Sequence, residues 1–160
     1  MSCGQGPKGR VLVVAGASGG HIFPALGLIE ALKTTCKGIE IILVLSSRCR
    51  QKHISLNGYS ARFISTVPIR PALNFQNLLA FWSFLKSIFE SVFLMLEFKP
   101  DVVVGFGSID SVPVVVCAWC ARVKTLLHEQ NVFPGRANRV LAHFVDRIAV
   151  SFDKTREYLG

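Results

Sequence analysis

The sequence predicts an α/β fold, a Rossmann-like parallel sheet with helices on both faces. Three observations predict it. Short apolar runs rich in Val, Ile and Leu recur along the chain, as in strands buried on both faces. Segments of helical character separate them in strict alternation, the order of a parallel sheet covered on both sides. Two of the runs end in glycine turns, Gly16–Gly20 and Gly105–Gly107, at the strand ends where such sheets bind ligands. At 160 residues the chain has room for one such domain and little room for a second.

Each element has a local reason. Val11–Ala15 is a continuous apolar, β-branched run and makes the first strand. Ser18 to Gly20 turns the chain, and a helix follows to about Thr35, with Pro24 tolerable in its first turn. Ile39–Leu45 repeats the strand pattern. Residues 46–59 are polar and basic and read as a loop with a short helix. Ala61–Thr66 is a short strand, and Pro68 and Pro71 break the chain after it. A long helix is predicted from Phe75 to Phe98, ended by Pro100. Asp101–Gly105 is the next strand, and Ser111 caps a helix to about Arg122. Lys124–His128 is a strand, Gly135–Phe144 a helix and Arg147–Ser151 a strand. Residues 1–9, polar and Gly-rich, read as a flexible N-terminus, and 10–160 as one Rossmann-like domain.

Composition narrows the function classes. Hydrophobic residues are 51% of the chain and charged residues 18%, which excludes intrinsic disorder. The chain is also basic, with 18 Lys/Arg against 10 Asp/Glu. Residues 1–70 hold nine Lys/Arg and only Glu30 and Glu40 as acids, with Arg48, Arg50, Lys52, Arg62 and Arg70 close in sequence. That field favours polyanions: nucleic acid, phosphorylated ligands or an anionic membrane. A solvated basic face without a partner is the bland alternative. No nucleic-acid recognition motif accompanies the charge, so nucleic acid is not an expected partner.

No secretory signal is present, and the longest run free of charged residues, Val11–Ile29, is broken by Ser18-Gly19-Gly20-His21 and Pro24. A cytosolic or peripheral location is expected. Five cysteines with no repeated spacing argue against a disulfide scaffold. Cys117-Ala118-Trp119-Cys120 lies in an apolar stretch and reads as buried small residues, with redox or metal chemistry as the alternative. Neither a metal site nor a cofactor is expected.

Three motifs sit at predicted strand ends. Gly16-Ala17-Ser18-Gly19-Gly20-His21 follows the first strand. Its small residues admit close backbone approach, and the helix behind offers free N–H groups and a positive dipole end for phosphate. It is neither G-x-G-x-x-G nor a Walker sequence, and a tight turn with no ligand is the alternative. His21 stands where a general base could reach an acceptor hydroxyl, or where it serves only local hydrogen bonding. Gly105-Phe106-Gly107-Ser108 repeats the strand, glycine turn and helix start. Two such turns facing one crevice suit a diphosphate. The third motif, His128-Glu129-Gln130-Asn131, puts four polar side chains at the end of an apolar strand, where sugar hydroxyls could partner them; a polar loop is the alternative.

Together the blocks resemble the N-terminal half of MurG-type N-acetylglucosaminyltransferases. The resemblance rests on Gly16-Ala17-Ser18-Gly19-Gly20-His21-Ile22-Phe23-Pro24-Ala25, on Lys99-Pro100-Asp101-Val102-Val103-Val104-Gly105-Phe106-Gly107, and on His128 through Arg139. It runs from about Arg10 to Tyr158. It implies one half of a two-domain GT-B glycosyltransferase of family 28. Such enzymes move N-acetylglucosamine from UDP-GlcNAc to the C4 hydroxyl of the muramyl sugar of lipid I, with inversion, giving lipid II for peptidoglycan. The resemblance implies that Gly16, Gly19, Gly20, Gly105, Gly107 and Ser108 hold the acceptor diphosphate and that His21 is the base. Ser18, Gly19, Gly20, Glu129, Gln130 and Asn131 then lie at the cleft or toward the donor. It implies as partners a lipid-linked muramyl acceptor, UDP-GlcNAc bound weakly, and an anionic membrane surface, and as location the cytoplasmic face of the inner membrane, held peripherally.

Two departures from the family pattern carry expectations. The second loop reads Ser108-Ile109-Asp110-Ser111-Val112-Pro113, losing two glycines and gaining an acid, which crowds and repels a diphosphate. The sequence stops at Gly160, so the donor-binding half is expected to be absent and transferase activity negligible without it. A truncated product, the acceptor subunit of a split transferase with a separate donor-domain subunit, and a non-catalytic membrane-surface or interaction module are the alternatives. In Pro71–Phe98 the apolar positions exceed what one core-facing stripe needs, so part of that helix is expected to be exposed or to meet a partner. A buried helix is the plain alternative. The resemblance places a membrane patch here, carried by Arg70, Leu78, Leu79, Trp82, Leu85 and Lys86.

Overall fold

A computed structural model describes residues 9–51, 56, 58–65 and 75–159, with side chains described except at Arg50, Gln51 and 75–79. The apolar runs form six strands: β1 (Arg10–Ala15), β2 (Glu40–Ser46), β3 (Ala61–Ile64), β4 (Val102–Gly105), β5 (Lys124–Glu129) and β6 (Arg147–Val150). Four α-helices join them: α1 (Gly19–Thr35), α2 (Phe75–Phe98), α3 (Val112–Cys120) and α4 (Arg136–Leu141). Short 3₁₀ helices occupy Ser47–Gln51, Ile109–Ser111 and Asp153–Tyr158.

All five strand pairings are parallel and the strand order is β3-β2-β1-β4-β5-β6. The order reverses at β1, which pairs with β2 on one side and β4 on the other. A crevice opens at such a reversal because the connections leave the two strands on opposite faces. Here the turns after β1 and β4 flank it.

The period of two sorts the strand residues between faces. Leu12, Val14, Val44, Val103 and Leu127 join Leu94, Met95, Val114, Val115 and Leu141 in one core layer, under α2, α3 and α4. Val11, Val13, Ala15, Leu43 and Leu45 join Ile22, Ala25 and Ile29 in the other, under α1. At the N-terminal ends of the strands, aspartates fasten neighbouring strands. Asp101 Oδ2 accepts from the Arg10 amide at 2.7 Å, and Asp146 Oδ2 accepts from the Thr125 amide at 2.7 Å and its hydroxyl at 3.0 Å. The Thr125 bonds hold the Asp146 carboxyl below its ordinary range.

Some boundaries move. The last helix is Arg136–Leu141 rather than Gly135–Phe144, and β3 ends at Ile64. Thr66, Pro68, Arg70 and Pro71, Lys52, and residues 1–8 of the expected flexible N-terminus lie outside the described residues. Ser111 stands at the N-cap of α3 but does not cap it with its side chain; its hydroxyl donates to the Ser108 carbonyl at 2.8 Å. The reading of both Cys117 and Cys120 as buried fails for Cys120, which is exposed at the end of α3, while Cys117 is half-buried.

Helix α2 sits in an unusual orientation. Its small polar residues Ser87 and Ser91 face the core, fully buried. Their hydroxyls donate back to the Phe84 and Ser87 carbonyls at 2.7 and 2.6 Å, so burial leaves no open donor. Glu90 reaches across to β3, accepting from the Ser65 amide at 2.6 Å and its hydroxyl at 2.9 Å. With polar groups satisfied inward, Phe81, Trp82, Phe89, Phe93 and Leu96 point outward, 55–73% exposed. Leu94 and Met95 are the core anchors at the far end of the helix. No helix among the described residues is long and apolar enough to cross a membrane.

This division predicts opposite outcomes on one helix. In urea unfolding, Leu94→Ala should cost about 2–5 kcal/mol, while Phe89→Ser should change stability by no more than about 0.5 kcal/mol. Equal losses would mean that α2 presents the other face to the core.

Candidate functional site

The site grows from the start of α1. Ser18 occupies the N-cap with extended backbone, yet its side chain caps no helix N–H. Its Oγ lies 2.5 Å from His21 Nδ1 instead. The amides of Gly19 and Gly20, the first two helical residues, therefore have neither an intrahelical acceptor nor a side-chain cap. A Cβ at Gly20 would meet nothing nearer than Ser18 Oγ at 4.0 Å, so this turn is open to a ligand.

Burial holds the His21 imidazole below its ordinary pKa, against the opposing pull of the Glu129 and Asp110 charges. The ring is thus neutral near pH 7. For Nε2 to take a proton, Nδ1 must carry the hydrogen and donate it to Ser18 Oγ.

The second turn is built differently. A Cβ on Gly105 would lie 2.9 Å from Val115 Cγ2, and one on Gly107 would lie 2.7 Å from Asn138 Oδ1. Both glycines are needed for packing; Gly107 also has φ +83°. Ser108 follows with φ 78° and ψ 150°, a region essentially reserved for glycine. Its side chain occupies the space a Cβ on Gly16 would need, and the same Cβ would lie 3.3 Å from His21 Nδ1. Gly16, Ser108 and His21 therefore meet across the crevice between β1 and β4, and the serine narrows it as the sequence leads one to expect.

The expected repulsion by Asp110 is corrected. The carboxylate is buried, 2% exposed, and Arg48 from the turn after β2 donates through Nη2 to Oδ1 at 2.8 Å and Oδ2 at 2.6 Å. Ser108 Oγ adds a donor to Oδ2 at 3.3 Å. A buried carboxylate demands such a partner. The sequence showed Arg48 only as one of several basic residues, 62 positions from Asp110. The acid gained in a glycine turn was the available signal.

In the third motif Glu129 turns inward, His128 and Gln130 are half-buried and Asn131 is exposed. Glu129, expected at the cleft, is 1% exposed. Its Oε1 accepts from the Asn131 amide at 2.9 Å and Nδ2 at 3.0 Å, and its Oε2 from the Gly135 amide at 3.2 Å and Asn138 Nδ2 at 2.7 Å. The carboxylate thus shapes the loop and has no valence left for a ligand. Gln130 Nε2 donates to the Phe106 carbonyl at 3.2 Å, tying this loop to the second turn. The His128 ring packs on Phe106 with centroids 5.0 Å apart, and burial lowers its pKa. His128 Nδ1, Gln130 Oε1 and Asn138 Oδ1 are buried without a partner among the described residues. All three lie around the Phe106–Gly107 turn. No group of three or more His, Cys, Asp or Glu among the described residues is placed to hold a metal ion.

Of the residues expected to form a membrane patch, Trp82 and Lys86 are exposed and Leu85 is half-buried. Lys86 Nζ lies 3.8 Å from Glu90 Oε1. Arg70 and the side chains of Leu78 and Leu79 lie outside the described residues.

The chain matches the family model described as glycosyltransferase family 28 N-terminal domain over residues 11–150. It is 36% identical over 150 residues to the UDP-N-acetylglucosamine–N-acetylmuramyl-(pentapeptide) pyrophosphoryl-undecaprenol N-acetylglucosamine transferase of Lactococcus lactis subsp. lactis, covering 93% of this chain and 42% of the relative. The corresponding protein of Natranaerobius thermophilus is 36% identical over 151 residues, covering 94% and 41%. The chain thus spans about two fifths of the length of these relatives. Among solved structures it resembles Acinetobacter baumannii MurG, with a TM-score of 0.78 and 26% identity over 92% of this chain and 43% of that one.

Two substitutions test the local physics by denaturant unfolding. Ser108→Gly removes a strained backbone and should stabilise the chain by about 1 kcal/mol. Glu129→Gln exchanges two acceptor positions for donors facing donors and should cost about 3 kcal/mol. Unchanged stability in Glu129→Gln would overturn the loop-organising role.

Proposed function

Because the chain belongs to the glycosyltransferase family 28 N-terminal domains, we propose that it is the acceptor-binding half of an inverting N-acetylglucosaminyltransferase acting on a lipid-linked muramyl diphosphate. The observation that carries this reading is the meeting of Gly16, Ser108 and His21 beside the open amides of Gly19 and Gly20. The amides and the dipole of α1 favour a phosphate group. His21 then stands beside the anion as a neutral base.

In the proposed step the muramyl C4 hydroxyl attacks the anomeric carbon of the donor sugar. The new C–O bond forms as the bond from that carbon to the UDP oxygen breaks, and Nε2 of His21 takes the hydroxyl proton. UDP leaves as the anion. Most donor contacts belong to a second domain, so the chain by itself is proposed to be inactive as a transferase. That domain stands either in the same polypeptide or in a separate donor-domain subunit; either supplies the same chemistry.

The outward apolar face of α2 supports a surface-bound reading. Trp82, Phe89, Phe93 and Leu96 form an apolar strip flanked by Lys86, which pairs with Glu90, suited to lie in the interface of a bilayer whose anionic surface the basic excess of residues 1–70 favours. A lipid-linked acceptor is presented there, at the proposed cytoplasmic face of the inner membrane.

Two measurements test these proposals. With a donor domain supplied, His21→Ala should lower turnover at least about 10²-fold. The acid limb of kcat/KM should lie below the ordinary histidine value of about 6.5, because the base must be neutral and burial lowers its pKa. Turnover indifferent to His21→Ala would remove the base assignment. In flotation with vesicles, the chain should rise with anionic more than with neutral lipid, and a Trp82→Ser/Phe89→Ser double variant should rise less. No preference for anionic vesicles would refute the surface reading.

A further inference from the structure

The geometry points to Arg48 as a phosphate-binding residue of the crevice, with Asp110 as the residue that positions it. The inference rests on the acceptor reading above and assigns to that site a cation that neither the glycine turns nor the third motif supplies.

Three observations carry it. The first is the division of the guanidinium. Its Nη2 is committed to both carboxylate oxygens of Asp110, and its Nε points to Ser46 Oγ at 3.3 Å. Nη1 has no hydrogen-bond partner among the described residues, and the side chain keeps 39% of its surface exposed while that of Asp110 keeps 1%. Two of the three guanidinium nitrogens are thus anchored in the protein, and Nη1 of a part-exposed side chain is left to donate to an anion.

The second observation is location. Asp110 accepts from Ser108 Oγ, Ser108 fills the space against Gly16, and that space borders His21 Nδ1. The Asp110 charge also reaches His21. Arg48 is therefore joined through Asp110 to the residues that meet at the crevice.

The third is compensation. Ser108 narrows the crevice where a glycine would let backbone amides approach a phosphate. A side-chain donor with a longer reach replaces that approach. Because the buried Asp110 is neutralised, the anion meets the uncommitted edge of Arg48 and not a bare carboxylate.

The test is titration of the chain with inorganic pyrophosphate and with a soluble muramyl diphosphate acceptor, at fixed ionic strength. Arg48→Gln strands a buried carboxylate, so the Arg48→Gln/Asp110→Asn double variant, which keeps a neutral hydrogen-bonded pair, is measured beside it; thermal melting checks that both fold. The expected result is a loss of about tenfold or more in affinity for both anions in the double variant. Asp110→Asn alone distinguishes positioning from simple charge. Removal of a repelling carboxylate would tighten binding, whereas loss of the anchor should weaken it severalfold, with Asp110→Glu recovering part of the loss. Tighter binding in Asp110→Asn overturns the positioning role, and wild-type affinity in the double variant overturns Arg48 as a ligand while leaving the acceptor reading intact. Binding of pyrophosphate without the muramyl acceptor would remove the acceptor reading and leave Arg48 as an anion site. Binding of neither removes both.

Discussion

The pairing of β1 with β4 is the contact on which the site depends. Residues 11–14 run in register with 102–105, so the first turn after β1 and the turn after β4 leave the sheet side by side. Every later feature follows from that adjacency. Phe106 donates its amide to the Val14 carbonyl at 2.8 Å, continuing the pairing past the strand end and fixing the second turn against the first. Gly16 and Ser108 are brought into contact by it, and His21, one helical turn along, closes over them. A sheet in which β4 paired elsewhere would hold the same residues and no crevice.

Around this contact the charged groups act mostly as construction. Glu129 draws four donors into one buried carboxylate and sets the path of the loop from Asn131 to Asn138. That path seats Asn138 against Gly107, which explains the glycine by packing. The C-terminal turn adds a further tie, Thr155 Oγ1 donating to the Asn131 carbonyl at 2.9 Å. The open donors are left at the other side of the crevice, at the start of α1. The two glycine turns that look alike in sequence thus differ: Gly20 of the first has open space around it, whereas Gly105 and Gly107 of the second are held by packing, as is Gly16 against Ser108.

How much of this was legible follows from the range of each interaction. Strands are legible because a fully buried parallel strand must be apolar on both faces, and Val11–Ala15 and Val102–Gly105 are. The bounds of α2 coincide with those expected at Phe75 and Phe98, since Pro100 closes the helix after Lys99 takes up φ 48°. The parity of β5 also held information. Thr125 and Leu127 are buried, so Glu129, two further on, points the same way; reading the motif as four polar side chains at a cleft overlooked that period. The Arg48–Asp110 pair was not legible by such means. It joins residues from two different loops, and only the adjacency created by the sheet order makes them neighbours. The inward serines of α2 fall between these cases: the excess of apolar positions was visible, but which face turns inward depends on hydroxyls bonding back to their own helix.

The second loop can then be considered as a unit with Arg48. Ser108 adopts a backbone conformation that costs a non-glycine residue of the order of 1–3 kcal/mol, and its Oγ reaches Asp110. A carboxylate as buried as Asp110 needs a partner, since unpaired burial of a charge is costly. Arg48 supplies the cation, and Ser46 Oγ steadies it beside its Nε. Seen singly, the serine is strained, the aspartate misplaced and the arginine one basic residue among many. Seen together, they exchange a backbone approach to the crevice for a buried ion pair with one exposed edge. The formal charge of Arg48 and Asp110 sums to zero, yet the Asp110 and Glu129 carboxylates still act on His21, so the field at the crevice combines them with the start of α1 and the N–H groups that Arg48 has left to offer.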